Sequence, residues 1–308
     1  VRAVTFGVPT PPRSVRRPSS VWLAFALALL CSACERARPE ISTLADARTA
    51  RIGVMTGTTG EAIARARFPD ADIRTFDDVM DAIAAMRAGQ LDATVTGFPA
   101  ALQIAKTNTD VKVLDEALEH ENTSIALRLT DTALLRSLNG IIDSLREEGV
   151  LADLSRRWFK DDLEPYDEPD IPEAATDRVL RVGVAATREP FSYKDSTGRV
   201  TGHDGELARR IGAALGRRIE FVDMKFMALI PALQSGKIDA IITGMTATPE
   251  RALKVAFTTS YFANRQIMMT RRLSTGRATP LRTPSDLATM RVGVTTGSAH
   301  ETWVIREW

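Results

Sequence analysis

Apolar runs of strand length alternate with helical patterns along most of the chain. The run "ARIGVMT" occupies 50–56, "DIRTF" occupies 72–76, and "VLRVGVA" at 179–185 begins a second series. Segments with helical spacing of apolar residues, such as "FDDVMDAIAAMRAG", separate these runs. Strands that alternate with helices indicate parallel sheets covered by helices on both faces, so the pattern predicts an α/β fold.

Two internal repeats add to this prediction. "DAIAAMRAGQLDATVTG" at 81–97 matches "ALIPALQSGKIDAIITG" at 228–244, and both read helix, glycine, strand, glycine. This match indicates either duplication or only a shared βαβ architecture. The second pair is "RIGVMTGTTGEA" at 51–62 and "RVGVTTGSAHET" at 291–302. Because its spacing is the size of a domain, it indicates a tandem arrangement.

Residues 1–33 are predicted to be a secretory signal peptide, and residues 34–48 a polar tether. Arginines precede the stretch "VWLAFALALLCSAC", which is too short to span a bilayer. The alternative is a buried helix. The chain has 2 cysteines, both in this stretch, so the remainder carries no disulfide framework. "CSAC" resembles a bacterial lipoprotein cleavage box with Cys34 as the acylated residue; ordinary cleavage after Ala33 is the alternative.

The charge balance gives no sign of nucleic-acid binding. The 308 residues include 40 basic and 39 acidic ones, for a net charge of +1, whereas nucleic-acid binding needs a basic excess on one face. The length fits about two domains. The acidic, proline-rich stretch at 161–178 shows no periodicity and is predicted to be a linker between them.

The stretch "IDAIITGMTATPER" at 238–251 has the character of a binding loop. "IDAII" is apolar throughout, as expected for a strand covered on both faces. Ligands of such sheets bind beyond the carboxyl ends of the strands. We expect Thr243 and Thr246 to offer hydroxyl groups at this edge, and Gly244 to let the backbone approach a ligand.

The residues that follow predict an anion site. Thr248 can cap a helix that begins at Pro249, and a helix N-terminus favours negative charge. Arg251 adds a planar guanidinium that fits a carboxylate. The alternative for Arg251 is an exposed helix residue in a surface ion pair.

From about residue 49 onward the chain resembles the family 3 solute-binding proteins, the extracytoplasmic receptors of polar amino acid ABC transporters. The resemblance is strongest at 179–270, in "LRVGVAATREPFSYKDSTGRVTGHDGELARRIGAALG" and "FMALIPALQSGKIDAIITGMTATPERALKVAFTTSYF". It implies a type II periplasmic binding fold: two α/β lobes are joined by hinge strands and close around a ligand.

The order of segments differs from the order in that family. Residues 49–160 resemble the second lobe with its return helices, and 179–272 resemble the first lobe. Residues 273–308 resemble the start of a repeated, truncated second lobe. The chain is therefore expected to be either a circular permutant or a fragment of a tandem protein.

The resemblance also implies roles for individual residues. Arg251 corresponds to the arginine that binds the ligand carboxylate, and Phe226 to the wall beneath the ligand side chain. Thr58 and Thr59 correspond to the second-lobe turn that contacts the carboxylate, and Ser298 is their equivalent in the repeated copy. The alternatives are a core aromatic for Phe226 and a plain strand-to-helix turn for the threonines.

Three departures from the family pattern bear on the ligand. Arg188 replaces an aromatic residue that covers the ligand, Gly97 replaces an aspartate that pairs with the ligand ammonium, and His203 replaces an apolar or aromatic residue. We therefore expect a site rich in cations and poor in anions. This predicts a ligand with more than one negative group, an acidic amino acid or a dicarboxylate; the alternative is a degenerate pocket that binds little.

The predicted function is that of a substrate-binding protein for an ABC transporter permease, located outside the cytoplasm and anchored to the membrane by lipid. No cofactor, metal or nucleic-acid partner is expected. The first alternative is a ligand-sensing domain of a signalling protein. The second is a dehydratase-like enzyme on the same fold. The three histidines, His120, His203 and His300, do not lie in a nucleophile or metal pattern, so catalysis is not expected.

Overall fold

Both βα series fold into sheets with helices packed against them. A computed structural model of the protein describes residues 40–159, 168–272 and 306. The described strands are β1 (Arg51–Met55), β2 (Asp72–Phe76), β3 (Ala93–Gly97), β4 (Val111–Thr123), β5 (Ala126–Leu127), β6 (Val179–Val184), β7 (Thr187–Arg188), β8 (Ser192–Lys194), β9 (Val200–Thr201), β10 (Arg218–Asp223), β11 (Ala240–Ile241), β12 (Ala256–Phe257) and β13 (Phe262–Arg271).

The helices connect these strands and cover the sheets. They are α1 (Thr59–Arg67), α2 (Val79–Arg87), α3 (Phe98–Thr107), α4 (Thr132–Glu147), α5 (Val150–Trp158), α6 (His203–Leu215), α7 (Leu229–Gln234) and α8 (Pro249–Ala252), with 3₁₀ turns at Leu44–Ala47 and Phe226–Ala228. The predicted cap is confirmed, because Thr248 Oγ1 accepts a hydrogen bond from the Arg251 backbone N–H at 3.3 Å.

One sheet has the strand order β2-β1-β3-β13-β4. β1 runs parallel to β2 and β3, whereas β13 runs antiparallel to β3 and β4. This sheet and its helices, residues 40–123 and 262–272, are called the β1 lobe. Its apolar strand residues, such as Ile52 and Val95, are buried in one cluster with Ala64 of α1 and with Leu44.

The second sheet has the order β10-β6-β11-β5-β12. β6 runs parallel to β10 and β11, and β5 runs antiparallel to β11 and β12. Residues 124–159 and 168–261 are called the β6 lobe. Its core joins Leu154 and Trp158 of α5 to Leu180 of β6 and Leu207 of α6.

Each sheet thus contains strands from both halves of the chain. β13 lies between β3 and β4, and β5 lies between β11 and β12. The chain crosses between the lobes at 123–126 and at 257–262. The two crossings bond to each other, since Tyr261 N donates to Thr123 O and Thr258 N donates to Ile125 O, both at 3.0 Å.

The expected fold is therefore confirmed: the described chain is α/β, with two lobes joined by two connecting strands, and all of it belongs to one compact unit that begins at Glu40. β4 ends at Thr123 and β5 begins at Ala126, because the chain changes lobes there.

Several predicted segments lie partly or wholly outside the described residues. They are the signal peptide at 1–33, residues 34–39 of the tether with Cys34, residues 161–167 of the linker, and the repeated segment at 273–308 with Ser298 and His300, apart from residue 306. Within the described ranges, no helix combines the length and apolarity needed to cross a bilayer. The same ranges hold no cluster of three histidine, cysteine or acidic side chains suited to a metal ion.

Candidate functional site

The predicted site residues come from both lobes and meet between them. The carboxyl end of β11 leads into 243–246 and then into α8 on the β6 lobe. On the β1 lobe, the turn at 56–58 leads from β1 into α1. A hydrogen bond joins the two loops directly, from Arg251 Nη2 to Gly57 O at 3.0 Å.

Arg251 is held at this junction by three contacts. Besides Gly57 O, its Nη1 donates to Thr246 O at 2.7 Å, and its guanidinium carbon lies 5.4 Å from the centre of the Phe226 ring. Burial lowers the pKa of Arg251, Glu121 acts in the opposite direction, and the positive charge of Arg188 lowers it further. The group is thus a partly desolvated cation, which favours an anion nearby.

Arg188 brings a second guanidinium to the same aromatic ring. Its guanidinium carbon lies 5.3 Å from the Phe226 ring centre and 5.8 Å from that of Phe191, and Nη1 donates to Thr243 O at 2.7 Å. Burial also lowers the pKa of Arg188. Within the described part of the chain, neither Arg188 nor Arg251 makes an ion pair with a carboxylate.

Phe226 is buried, and its ring makes cation–π contacts with both Arg188 and Arg251. A cavity of about 390 Å³ opens beside it, between the lobes. Its lining is acidic, from Asp77, Asp78, Asp81 and Asp223, together with Met55, Ala185, Ala186, Thr187, Met224, Lys225 and Phe226. Lys225 forms an ion pair with Asp77 across the two lobes.

The two threonines of the β1-lobe turn differ in their contacts. Thr58 caps α1: its hydroxyl donates to Met55 O at 2.7 Å and accepts from Glu61 N at 3.4 Å. Thr59 is the more available hydroxyl, since its one side-chain bond comes from Gln266 Nε2 at 3.4 Å. Both threonines follow directly on Gly57, whose carbonyl accepts the bond from Arg251.

Thr243 and Gly244 support the loop from behind. Thr243 is fully buried and its hydroxyl accepts from Ala185 N at 3.0 Å. Gly244 has a φ of 63°, a conformation that favours glycine, and its N–H donates to the Tyr261 hydroxyl at 3.3 Å. A β-carbon at Gly244 would lie 3.4 Å from Arg188 Nη1, so the glycine also leaves room for that guanidinium.

The expectation of a site poor in anions is wrong, because Glu121 lies in it. Glu121 is 8% exposed, accepts from Thr246 Oγ1 at 3.1 Å and accepts from Gln266 Nε2 at 2.8 Å. Glu121 and Gln266 come from the connecting strands, which lie outside the loop motifs that predicted the site. The sequence signal for these two residues was that each is polar and lies in a run of strand length that also holds apolar residues.

A family model described as bacterial extracellular solute-binding proteins, family 3, matches residues 180–293. This part of the chain belongs to that family. The matched residues include Arg188, Phe226 and the 243–251 loop, which are the β6-lobe side of the site.

Relatives of this solute-binding segment include a probable histidine-binding protein of Campylobacter jejuni, 37% identical over 129 residues, which are 42% of this chain and 48% of that protein. The ABC transporter arginine-binding protein 1 of Escherichia coli is 30% identical over 131 residues, 42% of this chain and 51% of the relative. The chain thus spans about half the length of the curated relatives it matches. Among solved structures, the arginine-bound form of domain 1 from TmArgBP is 40% identical, with 30% of this chain and 80% of that chain covered and a TM-score of 0.28.

A buried network of polar side chains lies behind the 243–251 loop, and no sequence motif predicted it. His203 Nδ1 and Asp204 Oδ1 are 2.7 Å apart, and the Tyr261 hydroxyl donates to Asp204 Oδ2 at 3.1 Å. Burial and the negative charge of Asp204 raise the pKa of Tyr261. All three side chains are buried, and the Tyr261 hydroxyl ties one lobe crossing to Gly244.

Proposed function

We propose that this chain is an extracytoplasmic substrate-binding protein of an amino acid ABC transporter, and that it holds the carboxylate of its solute between the two lobes. Membership of residues 180–293 in the family supports the class of protein. The curated relatives named above are described as amino acid-binding proteins, which supports an amino acid as the solute.

One observation carries the assignment of the site: two guanidiniums, Arg188 and Arg251, share the Phe226 ring between the lobes without an ion pair in the described chain. Partly buried cations of this kind are destabilised by desolvation. A carboxylate that enters between them would relieve that cost through charge-assisted hydrogen bonds. We infer that Arg251 binds the ligand's α-carboxylate, with Thr246 and the Thr58–Thr59 turn beside it.

The charges in the site favour an acidic amino acid. Two cations suit a ligand with two carboxylates, and the buried carboxylate of Glu121 suits one that also carries an ammonium. Glutamate and aspartate combine these groups, whereas a dicarboxylate such as succinate lacks the ammonium.

A cationic amino acid is the second candidate. The cavity beside Phe226 is lined by four aspartates, which would favour a positively charged side chain. The two relatives named above are histidine- and arginine-binding proteins, which points the same way. Calorimetry therefore has to compare both ligand classes.

We also propose that the ligand closes the lobes and is released unchanged. The 123–126 and 257–262 crossings serve as hinges, and Arg251 already reaches the opposite lobe at Gly57 O. Binding without chemistry is supported by the relatives' description as binding proteins and by the burial of His203 behind the loop. A lipid anchor at Cys34, the permuted segment order and the domain boundaries given above remain predictions.

The test is isothermal calorimetry with L-glutamate, L-aspartate, succinate and L-arginine. We expect L-glutamate or L-aspartate to bind most tightly. Arg251→Ala should cost about 2–5 kcal/mol of binding free energy, as expected when one partner of a buried charge pair is removed. Arg251→Lys should recover only part of the loss, because lysine keeps the charge but not the bidentate fork.

The control is Arg156→Ala, which removes an exposed arginine on α5 and should leave binding unchanged. Undiminished affinity in Arg251→Ala would contradict the proposed carboxylate site. A preference for L-arginine would retain the function but reverse the choice between the two ligand classes.

A further inference from the structure

Two residues of the connecting strands, Glu121 and Asn264, lie directly opposite each other. The face of the sheet that carries them is called the floor. Asn264 on β13 is the direct partner of Glu121 on β4, so their side chains leave the sheet on the same face. They are 7% and 8% exposed. Gln266 lies two residues beyond Asn264 and reaches both Glu121 and Thr59, which places this face against the 56–59 turn.

Polar atoms on this face are buried without a partner. Asn264 Oδ1 and Thr123 Oγ1 make no hydrogen bond, although buried polar atoms are nearly always paired. Thr123 is two residues from Glu121 on the same strand, so it shares the face. The two bonds that Glu121 accepts both end on Oε2, which leaves Oε1 available. The floor therefore carries a carboxylate, an amide oxygen and a hydroxyl on one face of two paired strands.

Asn264 also occupies the space beside Gly97. A β-carbon on Gly97 would lie 3.0 Å from Asn264 Nδ2, so a larger side chain at 97 would require Asn264 to shift. Gly97 ends β3, whose carboxyl end is at the same edge of the sheet as the turn after β1. The amide therefore lies at the ligand-facing edge, where the family resemblance implied an aspartate at position 97.

We propose that Glu121, Asn264 and Thr123 form an ammonium-binding subsite on the connecting strands, which makes the site selective for α-amino acids over the matching desamino acids. This inference rests on the proposed function of the same cleft. An ammonium donates three hydrogen bonds and accepts none, so three oxygen acceptors around one point match it. The negative charge of Glu121 supplies the counter-ion.

The experiment compares each amino acid with its desamino analogue by calorimetry: L-glutamate with glutarate, and L-arginine with 5-guanidinopentanoate. Wild-type protein should prefer the amino acid of at least one pair by about 100-fold or more. Glu121→Gln and Asn264→Leu should each lower that preference by about 10- to 100-fold, the range for charge-assisted hydrogen bonds. Affinity for the desamino acid should stay within about threefold or rise.

A rescue variant makes the test specific. Asn264→Ala should lose the preference, and Asn264→Ala combined with Gly97→Asp should restore it, since the alanine opens the space that an aspartate at 97 needs. Gly97 has a φ of −65°, which any residue adopts, and it is the N-cap of α3, where aspartate is favoured. Rescue cannot arise from a purely structural role of Asn264.

The control is Thr94→Val. Thr94 is a buried polar residue of β3 whose hydroxyl contacts Met86 Sδ, and the variant should prefer amino acids over desamino acids as strongly as wild-type protein does. Equal loss of affinity for both members of a pair, or an unchanged preference in all the floor variants, would overturn the subsite while leaving the carboxylate site intact. If wild-type protein bound none of the four probes, the proposed function would fail together with the subsite.

Discussion

At the scale of single residues, Glu206 shows how one buried acid joins distant parts of the chain. Its carboxylate is 0% exposed and accepts bonds from Arg157 Nη1 and Nη2 at 2.9 and 2.7 Å and from Trp158 Nε1 at 2.8 Å. Burial raises the pKa of Glu206, but the hydrogen bonds from Arg157, Trp158 and Arg210 lower it by more than burial raises it. The pKa of Glu206 therefore lies below its ordinary value of 4.5. The ionised form is thus the one that stabilises the fold.

We expect Glu206→Gln to lower the free energy of unfolding at pH 7 by about 1.5–3 kcal/mol, because Arg157, Trp158 and Arg210 would lose a charged acceptor while Arg157 keeps its ion pair with Asp153. A lowered folded-state pKa contributes stability above the unfolded-state pKa and loses it as the pH falls through the folded value. Wild-type stability should therefore fall as the pH drops below 4.5, and the variant should lose less over that interval. Urea unfolding across that pH range measures both effects.

The matched control is Asp110→Asn, which breaks the exposed ion pair with Arg87, whose side chains are 47% and 46% exposed. Exposed pairs contribute about 0–1 kcal/mol, so this change should be small at pH 7. Equal losses of unfolding free energy in Glu206→Gln and Asp110→Asn would show that the buried ion pair of Glu206 stabilises the fold no more than an exposed pair does.

At the scale of elements, the turn between β1 and α1 lies directly against the opposite lobe. Gly57 has a φ of 71°, and a β-carbon there would lie 1.6 Å from Met227 Sδ of the opposite lobe. Its carbonyl also accepts the bond from Arg251. Gly149 has a nearly identical φ of 75°, but a β-carbon there would meet no atom within 4 Å, so it carries the same backbone requirement without the interlobe contact.

Gly57→Ala and Gly149→Ala should therefore separate backbone strain from lobe closure. Each should destabilise the fold by about 1–2 kcal/mol through the left-handed backbone. Only Gly57→Ala should weaken ligand binding, because its methyl group would displace the Met227 side chain of the opposite lobe beside the carbonyl that Arg251 contacts. Thermal unfolding and calorimetry with L-glutamate check the two effects, and equal affinities in the two variants would argue against a closing role for the turn.

How much of this could be predicted from the sequence also depends on the element. The strand–helix alternation and the Thr248 cap follow from local patterns, which report periodicity and capping directly. The meeting of 243–251 with the Thr58–Thr59 turn was implied by the family resemblance. The roles of Glu121, Asn264 and Gln266 do not follow from those local patterns. These residues meet only because β13 inserts beside β4, a pairing between strands far apart in the sequence that no local pattern contains.

At the scale of the whole molecule, neither half of the chain completes a lobe alone. The β1 lobe needs β13 from the carboxyl-side half, and the β6 lobe needs β5, α4 and α5 from the amino-side half. Leu138 and Leu154 are fully buried against Leu180 and Leu207 across this division. Because residues of both halves form one core, neither half can bury its own apolar residues alone. We therefore expect the two halves to fold together.

This sharing predicts that the protein survives a cut between its halves. A recognition site for a specific protease, inserted between residues 160 and 167, should allow complete cleavage, and the two fragments should still elute together from a sizing column. They should also unfold in one cooperative transition and keep the ligand affinity of the uncut insertion variant, which is the control. The physical reason is that separation would expose the paired edges of β3, β4, β11 and β12 together with the shared core, and unpaired buried strand edges are costly. Fragments that elute apart, each with its own transition, would mean that each half closes its own core, and the interleaved lobes described above could not be the folded state.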